Sequence, residues 1–97
     1  MKGYFLEKIS NINYRMAIHE GNANRRLASE AIKIRLLPTH VLPPEYEKEF
    51  AKLRSLIEST IKSTTQGLTP VRLGKIRNST AVKYIKLLID IQIYFEN

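Results

Sequence analysis

The stretch from Ser79 to Phe95 limits most severely what this chain can fold into. Between Ala81 and Phe95 only Lys83, Lys86, Asp90 and Gln92 are polar. Wound as a helix, it carries one seam through Tyr84, Leu87, Ile91 and Tyr94, and a second through Ala81, Ile85, Leu88 and Phe95. Val82 and Ile89 add a third apolar flank. Lys83, Lys86 and Asp90 fall on one narrow polar stripe, with Lys86 and Asp90 spaced to pair along the helix. A helix that is apolar over most of its circumference must be covered from several sides. The stretch therefore reads as the central helix of a bundle, or as a helix shared with a second copy of the chain. Ile89, Ile91, Ile93 and Phe95 also alternate with polar or amphipathic neighbours, as a strand would. Against a strand, neither Gly nor Pro interrupts the run, Asn78 or Ser79 supplies an N-cap, and no other stretch offers a partner strand.

Three further stretches have helical spacing. In Tyr4–His19, Phe5, Ile9, Ile12 and Met16 recur on one face, with Lys8, Asn11 and Arg15 off it. Gly21 is placed to end that helix as a left-handed residue. Asn22 or Asn24 then caps a second helix running to Leu37, with Leu27, Ala31 and Ile34 as its apolar line and Pro38 as its stop. Pro43-Pro44 opens a third, because a proline at the first helical position gives up no hydrogen bond. Glu45 and Glu47 suit the positive end of that helix's dipole. Tyr46, Phe50, Leu53, Ile57 and Ile61 form its seam, which predicts an end between Lys62 and Thr64. Arg54–Glu58 and Glu58–Lys62 are spaced as ion pairs. Ser63 to Gly67 is turn-like, and Thr69-Pro70 reads as the opening of a short helical turn over Val71–Ile76.

A chain of 97 residues with 43% apolar and 26% charged residues has the length and composition of one globular domain. Without cysteine, disulfide, thiol and cysteine–zinc chemistry are excluded. Met1 to Glu7 lacks the apolar centre of a secretion signal, and the greasiest run, Leu87 to Phe95, is too short to span a bilayer. A cytoplasmic protein is the expectation. The net charge of +7 is unevenly spread. Lys62, Arg72, Lys75, Arg77, Lys83 and Lys86 face no acid between Ser59 and Ile89, and Arg25, Arg26, Lys33 and Arg35 face only Glu30. Such a balance favours a polyanionic partner, and Arg25, Arg26, Lys33, Arg35, Arg72, Lys75 and Arg77 are the candidate contacts. The plainer reading of Arg72, Lys75 and Arg77 is a solvated loop.

Catalytic constellations are sparse. With His19 and His40 as the histidines and Asp90 as the one aspartate, no zinc-protease, nucleophile-elbow or phosphate-loop spacing occurs. No cofactor and no metal is implied. Thr69 to Asp90 admits a helix-turn-helix reading, but a recognition helix needs a polar face for the groove, and here only Ser79, Thr80, Lys83 and Lys86 supply one. His19 to Arg26 is a dense polar junction that suits either an anion-binding corner or a capped turn. Arg35-Leu36-Leu37-Pro38-Thr39-His40 is similar to the Arg-x(4–6)-His signature of HEPN-type ribonucleases, which are small and all-helical. That resemblance covers six residues and implies Arg35 and His40 acting together on a scissile RNA phosphate.

Together these readings predict an all-α, single-domain antiparallel bundle of about four helices over residues 1–97, with the C-terminal helix central. The expected function is non-catalytic: a small interaction or accessory protein that self-associates, as a homodimer, through Val82, Ile89, Ile93 and Tyr94. Nucleic-acid binding through the basic surface is the alternative, and a HEPN-like ribonuclease the remote one.

Overall fold

The computed structural model describes residues 2–64, 67–70 and 76–97, of which 61–64 and 67–70 are described as backbone. The chain is an all-α bundle. Its elements are α1 (Lys2–Ile18), α2 (Ala23–Ser29), α3 (Ala31–Arg35), a 3₁₀ turn (Thr39–Val41), α4 (Pro44–Thr60), a two-stranded hairpin and α5 (Asn78–Glu96). Strands β1 (Ile61–Thr64) and β2 (Gly67–Pro70) pair antiparallel, with Ile61 opposite Pro70 and Thr64 opposite Gly67. The hairpin corrects three sequence expectations, the first being that no stretch outside Ile89–Phe95 is strand-like. Helix α4 ends at Thr60, not between Lys62 and Thr64, and Thr69-Pro70 belongs to a strand instead of opening a helical turn. The rest of that expected turn, residues 71–75, lies outside the described residues.

The apolar rows read from the sequence form the core. Phe5, Ile9, Ile12 and Met16 of α1 are buried, as are Leu27, Ala31 and Ile34 of α2 and α3, and Phe50, Leu53 and Ile57 of α4. Each large side chain so buried contributes about 1.5–3 kcal/mol relative to exposure. Helix α5 touches α1, α2 and α4, so it is the element the others pack around. It runs antiparallel to α1: Phe5 meets Phe95 with ring centroids 4.8 Å apart, while Asn13 reaches Leu88.

Four local expectations are replaced by specific contacts. Gly21 does not adopt the left-handed conformation. It is needed for room, because a Cβ there would stand 2.8 Å from His19 Cε1 and 3.0 Å from Arg25 Cβ. The predicted second helix is broken at Glu30, whose backbone (φ −109°, ψ 7°) leaves the helical line. The Glu30 carboxylate is buried and accepts a 2.7 Å hydrogen bond from Arg15 Nε, which supplies the partner a buried charge requires. Arg54 does not turn to Glu58; its Nη2 donates to the carbonyls of Arg35 (2.9 Å) and Leu37 (2.7 Å), closing the end of α3. Glu58 instead faces Arg35 at 3.5 Å. At the start of α5 the cap position is Arg77, with no side-chain cap bond. Asn78 Oδ1 accepts the Asn24 N–H at 3.2 Å, and Asn24 Nδ2 donates to Ile76 O at 2.9 Å. The first residue of α5 thus caps a backbone N–H at the start of α2, and the Asn24 amide ties α2 to the chain just before α5.

Candidate interaction surface

Helix α5 buries Ala81, Tyr84, Leu88 and Ile91, a row at 3-4-3 spacing that takes residues from both of the seams read from the sequence. Two flanks border this row. On the α1 side, Asn13 Nδ2 donates to Leu88 O (3.1 Å) and to Gln92 Oε1 (2.7 Å). Next to it, Ile85 and Ile89 share a groove of about 260 Å³ with Met16, Ala17 and Arg26. On the α4 side, Tyr94 meets Tyr46 edge-on at 5.8 Å and Phe95 at 5.2 Å, and Lys83 Nζ lies 3.7 Å from Glu49 Oε2.

The four residues singled out for self-association are divided by this arrangement. Val82, Ile89 and Ile93 are 53%, 43% and 50% exposed, and their spacing of seven and four places them on one row along the α1 side of the helix. Tyr94 is also exposed in part, but its ring leans to α4, on the opposite flank. Tyr46, partly buried and edge-on to Tyr94, has a shifted phenol. Desolvation first, then the charges of Glu45 and Asp90, hold its phenol above the ordinary value. Glu49 is shifted the other way, below the ordinary carboxylate value, by the hydrogen bond from Lys52 at 3.0 Å and by the charges of Lys52 and Lys83.

The basic candidates are scattered. Arg25 and Arg77 are exposed and stand next to the paired Asn24 and Asn78, so the fold brings them to one corner. Arg26 Nε donates to Gly21 O at 2.7 Å, which makes the His19–Arg26 junction a closed turn, with His19 Nδ1 accepting the Gly21 N–H at 2.8 Å. Lys33 is exposed on α3. Arg35 sits at the end of α3 facing Glu58, and His40 is exposed on the 3₁₀ turn. Arg72 and Lys75 lie outside the described residues.

Compared with protein families, curated proteins and solved structures, the chain matches none. Function must be read from the surface itself. Among the described residues no three His, Asp or Glu side chains gather as a metal site, and no helix is long and apolar enough to cross a membrane. Sequence reasoning missed the Arg15–Glu30 bond and the Arg54 clasp. Tyr4, Lys8, Asn11 and Arg15 do recur at 4-3-4 spacing along α1, a second row beside the core row, but nothing in the sequence says what that row faces.

Proposed function

We propose that the chain is a small, non-catalytic interaction protein of the cytoplasm that pairs with a second copy of itself through the α1-side flank of α5. One observation carries this reading: Val82, Ile89 and Ile93 remain about half exposed on one row of the most apolar of the three long helices. Apolar side chains gathered in one patch mark interfaces more often than isolated ones do. A two-fold partner presenting the same row would cover it, and two-fold homodimers are the commonest oligomers. Sedimentation velocity over a range of concentrations tests the reading. A dimer is expected for the wild type and a monomer of unchanged helical content for Ile93→Glu. A wild-type protein that stays monomeric at the highest concentration sinks it.

The corner that joins α2 to α5 supports a second reading. Arg25 and Arg77 are far apart in the sequence, yet the Asn24–Asn78 hydrogen bond holds their chain neighbours together. Two exposed guanidinium groups at one corner suit phosphate oxygens. Fluorescence polarisation with labelled single-stranded and duplex oligonucleotides at about 50 mM salt, where phosphate contacts are strong, checks this. The expected result is binding that weakens with salt and falls in Arg25→Gln/Arg77→Gln; no binding under those conditions removes the reading.

A further inference from the structure

We propose that the groove between α1 and the α3–Pro38 corner binds an acidic peptide segment of a partner protein, one that presents a large apolar side chain between carboxylates. The floor of the groove is apolar, because Ile12 and Leu37 are buried beneath it. Leu36, 70% exposed, and Pro38 form one wall. Among the described residues three cations stand on the rim, Lys8 and Arg15 from α1 and Lys33 from α3, and no Asp or Glu lines the space. At one end Tyr4 closes it, with Lys8 Nζ 5.2 Å from the centre of its ring.

Charge and shape together select the occupant. The buried Glu30 holds Arg15 through its Nε, and a guanidinium so fixed still has further N–H donors to present. Lys8 and Lys33 are exposed, and neither makes an ion pair among the described residues. The rim therefore keeps a net positive field that an anion would complement. A pure polyanion would leave the apolar floor and wall uncovered, and a neutral apolar group would leave the cations unmatched. At about 320 Å³ the space is at the small end of ligand sites and takes one large side chain. Small-molecule sites bury most of the ligand, whereas this groove is open along one side. A peptide fits that form, with its anchor in the well and its flanking carboxylates against the rim.

The site is separate from the self-association flank, so the two stand or fall independently. The test sorts a phage-displayed library of random peptides on the biotinylated full chain, then measures synthetic, fluorescein-labelled copies of the enriched peptides by anisotropy. Enriched peptides are expected to combine Asp or Glu with Leu, Phe or Trp. Exchanging their acids for amides, or the apolar residue for Ser, should weaken binding roughly tenfold, the scale of two exposed ion pairs or one small apolar contact. Lys8→Gln/Lys33→Gln and Leu36→Ser should weaken it to a similar extent, while Lys48→Gln on α4 and Ile93→Glu on α5 leave it unchanged. Lys8, Lys33 and Leu36 are exposed, and circular dichroism should show all of these variants folded. The proposal is overturned if no peptide is enriched, if enriched peptides lack acids, or if their binding ignores the Lys8 and Lys33 changes. It is equally overturned if oligo(dT) or laurate, in place of any peptide, is the probe whose binding those changes abolish.

Discussion

Tyr46 shows how a single residue ties burial to pH. Its ring packs edge-on against Tyr94, 5.8 Å away, and desolvation there, helped by the charges of Glu45 and Asp90, disfavours the phenolate. The folded-state pKa is therefore raised above the ordinary 10.0. A raised pKa means that the folded protein holds the proton more tightly than the unfolded chain. The resulting stability is complete below the unfolded value and is lost as pH rises from there through the folded one. Melting temperatures recorded from neutral pH to beyond pH 10 should fall at the alkaline end, and Tyr46→Phe should flatten that fall. An identical alkaline slope in the variant would show that other groups govern it. Tyr46 was legible as a seam residue from its spacing; its meeting with Tyr94 was not, because the two are far apart in sequence. The same limit explains Arg54. Helical spacing offers it Glu58, yet two carbonyls at the end of α3 are orphaned acceptors and draw its guanidinium instead.

At the scale of elements, periodicity carried the most information wherever one face had to be buried. Phe5, Ile9, Ile12 and Met16 declared α1, and Phe50, Leu53 and Ile57 declared α4, because a helix presents its apolar side every three to four residues. Breaks were harder to see. Glu30 interrupts α2 and α3 without Gly or Pro, since its carboxylate is buried against Arg15 on a different helix. The hairpin after α4 is four residues per strand and has little apolar alternation to announce it. Helix α5 lies between these cases: a helix was favoured there over a strand through Ile89–Phe95, but an almost all-apolar sequence left several faces eligible for the core. The structure buries Leu88 completely and leaves Ile93 half exposed. Leu88→Ala should then cost about 2–5 kcal/mol by the lost transfer energy and the cavity left behind. Ile93→Ser should change the stability of the isolated monomer by about 0.5 kcal/mol or less, as surface substitutions do. Urea denaturation of both variants at a concentration low enough to keep the chain monomeric measures the difference, and equal losses would contradict this packing.

For the whole molecule, the question is what covers the α1-side flank of α5. Three side chains alone make a small contact, and a specific interface buries about 1,200–2,000 Å² in total. The fold provides more surface around the row. Ala17 lies beside Ile89 in the α1–α5 groove, and Tyr14, three residues back on α1 and therefore its neighbour on the helix surface, is 65% exposed. The apolar area thus extends from α5 onto α1, as a face that two copies can share. Tyr94 takes no part in it, because its ring lies against α4. Association that exists only in the folded state stabilises that state by mass action, so the melting temperature of a dimer rises with protein concentration. The wild type should show this rise, and Ile89→Glu, Ile93→Glu and Tyr14→Glu should each abolish it by placing a charge in the shared face. Tyr94→Ser should lower the melting temperature at every concentration, through the lost contacts with Tyr46 and Phe95, but keep the concentration dependence intact. If Tyr94→Ser removed the dependence and Ile93→Glu did not, the interface would belong to the α4 side of α5, and the row of Val82, Ile89 and Ile93 would need another partner.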